Sequence, residues 1–309
     1  MPDRLSNLRV VDPVLTNLAV GYSNAELIGD VLFPFAQIDK EAGKVPKFGK
    51  EAFKLYNTER ALRAKSNRIN PEGQGTIDVV LDEHDLEYPI DYREDQESMF
   101  PMEAHATNVV TEGIRLRHEK MCADLAQNPA NFPSGNKIIL SGTSRFTDKA
   151  NSDPVGVVED GKEAVRQKIG KRPNTMVIGA AAYKSLKHHP LLLEKIKYSM
   201  KGVLTKELLQ EIFEVQRIVV GEGVYSSDFD TFGDLWGDNI ILAYVKPNAQ
   251  GMERSHLDPS FGYTLRKRGQ PLVDKYDEGR KLRLIRNTDI FKPVLLGAEA
   301  GYLIADTNA

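Results

Sequence analysis

Residues 171–200, KRPNTMVIGAAAYKSLKHHPLLLEKIKYSM, hold the pattern closest to a ligand site in this chain. Asn174–Ile178 predicts a short buried strand, Gly179 a turn and Ala180–Lys187 a helix. A strand, a glycine and a helix start can cradle a phosphate, because the first helical N–H groups point outward unpaired. Lys184 would stand within the first turns. The same layout joins any strand to any helix in an α/β layer. A phosphate loop needs several glycines for close backbone approach, and one glycine stands here. The expectation is therefore a packing element without a ligand.

The other chemistry-bearing residues fare no better. His188-His189 adjoins Pro190 at a helix break; adjacent histidines point apart, which predicts a solvated corner and no shared metal. His84, Asp85 and Glu87 form a cluster in sequence, but on a strand His84 faces away from the two acids. His118-Glu119 lacks the second histidine four residues on that a zinc helix requires. Ser141-Gly142-Thr143-Ser144 and Ser226-Ser227 lack the context of a nucleophile elbow. Cys122, the single cysteine, reads as a buried, inert thiol. No acid, base and nucleophile converge, and the reading is a protein without catalytic, cofactor or metal residues.

The elements that would have to position a site are more informative. Residues 1–42 are broken by Pro2, Pro13, Gly21, Gly29 and Pro34, yet Val14, Leu15, Leu18, Leu27, Ile28, Val31, Leu32, Phe33 and Phe35 make them too apolar for a free tail. Residues 43–92 predict a long hairpin. Its first strand runs roughly from Val45 to Tyr56. Asn70-Pro71-Glu72-Gly73 marks a turn. In the second strand Ile77, Val79 and Leu81, then Leu86, Tyr88, Ile90 and Tyr92, alternate with polar residues. The phase slips at Glu83-His84-Asp85, where a bulge or bend is expected.

Residues 101–127 predict a long surface helix, with Pro101 in its first turn, Asn128-Pro129 as its stop, Gly113 in its middle and a thin stripe of Ala106, Val110, Ile114, Met121 and Leu125. Residues 154–254 alternate helix and strand. Residues 260–309 predict an antiparallel meander of four strands, the last from Val294 to Ile304. The fold class is α+β.

The 309 residues carry a net charge of −3, 41% hydrophobic and 28% charged side chains. A core is affordable, and a global basic coat for nucleic acid is excluded. One cysteine permits no intrachain disulfide and fits a reducing compartment. The start, MPDRLSNLRVVDPV, has no signal-peptide run and no stretch approaches a membrane span, so the expected product is soluble and intracellular. Charge is segregated along the hairpin. Residues 40–68 hold nine basic and three acidic side chains, whereas residues 69–100 hold ten acidic and one basic. Either the two arms pair within one chain, or each meets the opposite arm of another copy in a head-to-tail contact. The contact residues expected in the second case are Arg60, Arg63, Lys65, Arg68, Asp82, Glu83, Glu94 and Asp95. The basic run Arg266-Lys267-Arg268 reads as a solvated turn.

Two stretches carry a family likeness. Val11-Asp-Pro-Val-Leu-Thr-Asn-Leu-Ala-Val-Gly-Tyr, followed by Leu32-Phe-Pro and Phe48-Gly-Lys-Glu-Ala-Phe, forms the first. Arg172-Pro-Asn-Thr-Met-Val-Ile-Gly with Ala182-Tyr-Lys-Ser-Leu-Lys-His-His-Pro forms the second. With the order of elements, the whole chain resembles the major capsid proteins of tailed bacteriophages with the Hong Kong 97-type fold. The resemblance implies an N-terminal arm (1–42), an extended loop (43–92), a peripheral domain with a spine helix (93–153 and 255–309) and an axial domain (154–254). It implies hexamers and pentamers in an icosahedral head around double-stranded DNA, assembled in the host cytoplasm and found in the virion. The implied partners are a separate scaffolding protein, a portal and a decoration protein, with weak, non-specific contact to packaged DNA and no membrane. Some members join a lysine to an asparagine between subunits; Lys65 is the position such a donor would take, with no partner asparagine singled out. An encapsulin-type bacterial nanocompartment is the alternative of the same fold, and an α/β enzyme using the 221–238 loop ranks behind it.

Overall fold

The computed structural model describes residues 26–46, 55, 57–63, 65–68, 75–98, 101–196, 204–228, 230–247, 257–279 and 281–308. The expected turn at Asn70–Gly73, most of the arm and most of the first hairpin strand lie outside the described residues. In chain order the elements are α1 (Gly29–Leu32), β1 (Phe35–Ile38), β2 (Ala42–Pro46), β3 (Thr76–Val80), β4 (Asp82–Asp91), α2 (Tyr92–Glu97), α3 (Met102–Gln127) and β5 (Lys137–Ile139). There follow α4 (Pro154–Ile169), β6 (Thr175–Gly179), α5 (Ala180–Lys187), α6 (Pro190–Ile196), α7 (Lys206–Phe213), β7 (Arg217–Gly221), β8 (Val224–Ser226), β9 (Phe232–Asp234) and β10 (Ile240–Ala243). The chain closes with β11 (Gly262–Lys267), β12 (Leu272–Glu278), β13 (Leu282–Leu295) and β14 (Gly301–Ala305).

A mixed sheet in the order β5-β14-β10-β6-β7 organises the α/β region. Its central strands read Thr-Met-Val-Ile-Gly, Ile-Ile-Leu-Ala and Gly-Tyr-Leu-Ile-Ala and are buried at every residue. Such continuous apolar runs belong to strands covered on both faces. Met176, Ile178, Leu242 and Ile304 pack with Val158, Val165, Leu186, Leu209 and Phe213 of the helices. Val177, Ile241 and Leu303 point the other way, to Cys122, Ala123, Ala126, Trp236 and Phe261. Helix α4 is bounded by local chemistry: the Asp153 carboxylate accepts from Val155 N and Gly156 N, Pro154 opens the helix, and Gly170 closes it at φ +67°.

This sheet corrects the expected four-stranded closing meander. β14 leaves the meander and pairs with β10, and β5 joins beside it in parallel. Pro293 does not divide two strands either, because β13 runs through it. The missing N–H is harmless there: pairing with β4 ends at Phe291, two residues before Pro293.

The second sheet is built on β13. β11 and β12 pair end to end along one edge of β13, and β4 pairs along the other. β1 adds to β11 in parallel. The expected hairpin is corrected accordingly. β3 does pair with β2, but the strand breaks at Leu81, before the predicted slip, and β4 turns away to β13. Leu81, buried, donates its N–H to the Glu41 carbonyl and marks that corner.

Helix α3 crosses this sheet over roughly 39 Å at ~1.5 Å per residue. Its buried residues Met102, Ala106, Val110, Ile114, His118, Cys122 and Ala126 recur every four positions, which winds the buried line around the helix by about 40° per step. The first half thus rests on Ile90 and Ile285, and the last half reaches the other sheet. Met121 and Leu125, expected in the stripe, are only half-buried.

Candidate assembly surfaces and the arm latch

The turn at Gly179 packs against the backbone of the 236–237 segment. A Cβ there would lie 2.1 Å from Gly237 O and 2.6 Å from Trp236 O, so glycine is required by backbone packing of the 236–237 segment. Ser185 does follow Lys184, as in a phosphate loop, but its hydroxyl donates to Asn308 Oδ1 at 2.7 Å, and Lys184 is exposed. The solvated histidine corner is half right. His188 is exposed, whereas His189 is fully buried, with Nε2 3.0 Å from Ser152 Oγ and its carbonyl accepting from Leu192 N and Leu193 N. His84 turns from Asp85 as expected and stacks on Phe291 at 4.3 Å. Among the described residues no group of three His, Cys, Asp or Glu side chains is arranged to hold a metal.

The densest polar cluster fastens the described end of the arm. Glu119, 2% exposed, accepts from Ile28 N at 2.9 Å, Gly29 N at 2.6 Å and Trp236 Nε1 at 2.6 Å. Burial pushes its carboxyl up, and the three N–H donors pull it back toward the ionised form that accepts from all of them. On the preceding residue, His118 Nε2 lies 2.8 Å from Thr264 Oγ1, which donates to Phe33 O at 2.9 Å. The His118 ring stacks on Phe35 at 4.8 Å and meets Phe291 edge-on at 5.2 Å. Burial, then the charge of Arg266, lowers its pKa to about 3, so the ring is neutral. Burial and Glu119 raise the Cys122 thiol well above its ordinary value, which fits the inert thiol expected. Sequence reasoning tested His118-Glu119 for zinc alone. Two adjacent polar residues inside an apolar stripe were the signal for a buried network.

The predicted contact residues fall into two groups. Arg60, Arg63, Lys65 and Arg68 are exposed in a loop closed by Asn67, whose Nδ2 donates to Asn57 O and Glu59 O at 2.8 and 2.9 Å. Leu55 and Leu62 beside them are 98% and 90% exposed. On β13, Arg283, Ile285, Asn287 and Asp289 face α3, and the alternate residues take the opposite face, where Leu284 and Ile290 are buried. That face collects Glu83, Asp85, Glu87 and Asp91 of β4 and Asp274 and Glu278 of β12.

Basic residues answer some of these acids within the chain. Asp82 pairs with Lys292 at 3.0 Å and Asp274 with Arg286 at 2.8 Å, while Asp78 lies 3.9 Å from Lys44. Glu83 and Asp95 are exposed. Glu94, expected as a surface acid, is buried in the first turn of α2. The basic run is not a solvated turn. Arg266 binds Asp289 at 2.9 Å, Lys267 binds Glu41, and Arg268 binds Asp39 at 2.8 Å.

The chain thus combines a layered α/β unit, a second sheet crossed by a long helix and an exposed charged loop. Solved structures share this arrangement. The mature capsid of bacteriophage PhiM1 matches with TM-score 0.57 over 93% of this chain and 89% of its own, at 11% identity, which shows the Hong Kong 97-type fold. A crystal structure of a phage-related protein from Bordetella bronchiseptica RB50 matches with TM-score 0.77 and 38% identity over 97% and 98% of the two chains. The major capsid protein of Burkholderia phage BcepMu is 66% identical over 305 residues, 99% of each chain. The chain belongs to the phage major capsid protein E family, whose model matches residues 25–283. It is a structural protein of the virion shell, and the likeness to a phage protein over its whole length decides against a nanocompartment.

Proposed function

We propose that copies of this chain form the hexamers and pentamers of an icosahedral head around double-stranded DNA, and that the 57–68 loop of one copy lies on the acidic face of β4, β13 and β12 of the next. What supports this reading is that one chain carries both an exposed basic loop, with exposed Leu55 before it and exposed Leu62 within it, and a separate face rich in acid. In this reading residues 1–42 are the arm, 43–92 the extended loop with β4 as its shelf, 93–153 and 255–309 the peripheral domain, and 154–254 the axial domain. A separate scaffolding protein, a portal and a decoration protein complete the head, and the chain catalyses nothing. Arg266, Lys267 and Arg268 are engaged by acids of their own chain, so packaged DNA is held by confinement with weak, non-specific contacts.

Exposed ion pairs contribute about 0–1 kcal/mol each, but a shell repeats them at every subunit. Replacing Arg60, Arg63, Lys65 and Arg68 together by glutamate leaves a folded subunit that assembles poorly. Sedimentation at matched salt reads the outcome, and assembly equal to wild type sinks the proposal.

A further inference from the structure

Beneath the middle of α3 lies a cavity of about 350 Å³, with apolar walls that include Phe35, Ile114 and Phe291. Asn287 and Asp289 of β13 line it. They are 2% and 3% exposed, and each keeps one acceptor, Oδ1, without a hydrogen-bond partner among the described residues. The rest of each side chain is held: Asn287 Nδ2 donates to Thr111 Oγ1 at 3.2 Å, and Arg266 binds Asp289 Oδ2 at 2.9 Å. Two residues apart on a strand, the two side chains share the face toward α3. Buried acceptors are almost always paired, so a donor is missing here.

The charges around the cavity indicate which donor. Three carboxyl groups, Asp30, Glu119 and Asp289, stand against Arg115 and Arg266; burial pushes the Asp289 and Glu119 carboxyls up, Arg266 pulls Asp289 back toward its ionised form, and His118 is neutral. We propose that the cavity takes a primary alkylammonium group, its N–H donors on Asn287 Oδ1 and Asp289 Oδ1 and its alkyl stem against Phe35, Ile114 and Phe291. Arg266 Nε is also unpartnered; the volume leaves room for a water beside it, at ~30 Å³ per molecule. The amine is either a free small molecule or a lysine of a second copy, and the second source rests on the shell reading above.

The probe is n-butylammonium chloride, compared with sodium chloride at equal ionic strength, on full-length unassembled subunits and on shells. Thermal shift and calorimetry read binding. Reductive methylation with mass spectrometry reads lysine protection in shells. Saturable binding to both forms, weakened about tenfold or more in Asn287→Leu, supports a free amine. Binding to subunits alone, with one lysine protected in wild-type shells and reactive in Asn287→Leu shells, supports a lysine of a second copy. Asn287→Leu keeps the Arg266–Asp289 pair; should it fail to fold, Ile114→Phe narrows the same cavity and takes its place. Butylammonium indistinguishable from sodium, or binding untouched by the variant, overturns the site. A chain that never assembles defeats the shell reading, while subunit binding still decides the cavity.

Discussion

Glu119 holds three elements together with one carboxylate: the start of α1, the long helix α3 and Trp236. Glu119→Ala leaves three buried donors unpaired. At ~1–3 kcal/mol for each such group, less than additively, the expected loss is about 3–5 kcal/mol. Urea unfolding of the subunit measures it, and a midpoint unchanged from wild type contradicts the latch. His118 gives a pH signature. Its folded pKa of about 3 lies below the ordinary 6.5, so its contribution is full above pH 6.5 and is lost as pH falls toward 3. At ~1.36 kcal/mol per unit, about 2 kcal/mol is gone by pH 5. His118→Gln should flatten the stability profile between pH 6.5 and 5 relative to wild type; parallel profiles would refute this. In the sequence His118-Glu119 lacks the second histidine of a zinc helix. The sequence could not show the partners, which are about 90 to 146 residues away.

Among the elements, α3 was legible because Pro101 and Asn128-Pro129 bracket it, and the buried strands were legible as apolar runs. Strand partners were not. Alternation from Ile77 to Tyr92 says that strands form, but the pairing of β4 is chosen by residues 282–291. The same limit hid the transfer of β14 to the other sheet, where Leu303 and Ile304 bury both faces. Gly113 tests the packing of α3 on β4. Its nearest neighbour is a terminal methyl, Leu86 Cδ1, 2.7 Å from where a Cβ would stand, and Leu86 is partly exposed and free to swing. Gly113→Ala should therefore realise most of its helix gain, about 0.5–1 kcal/mol, and raise Tm by about 2 °C. Gly29→Ala should do the opposite, since its Cβ would stand 2.7 Å from Glu119 Oε2 and 3.0 Å from Cys122 Cβ in a fully buried place. Calorimetry of the two variants side by side checks both signs; a lower Tm for Gly113→Ala would mean that Leu86 is fixed.

At the scale of the whole molecule, the proposed shell contacts rest on segregated charge and an exposed basic loop. The segregated charge of residues 40–100 was plain in the sequence, and the reading that pairs it within one chain is realised in part. Asp82 and Asp78 find basic partners in their own chain, while the loop with Arg63, Lys65 and Arg68 stays exposed beside Leu55 and Leu62. Opposite fields on one subunit favour head-to-tail contacts, which close into rings when the rotation permits. The most direct test of this account is electron microscopy of the purified full-length protein over a range of concentrations. The account predicts closed shells, or the hexameric and pentameric rings from which they are built. A monomer at every concentration, with neither rings nor shells, would contradict it.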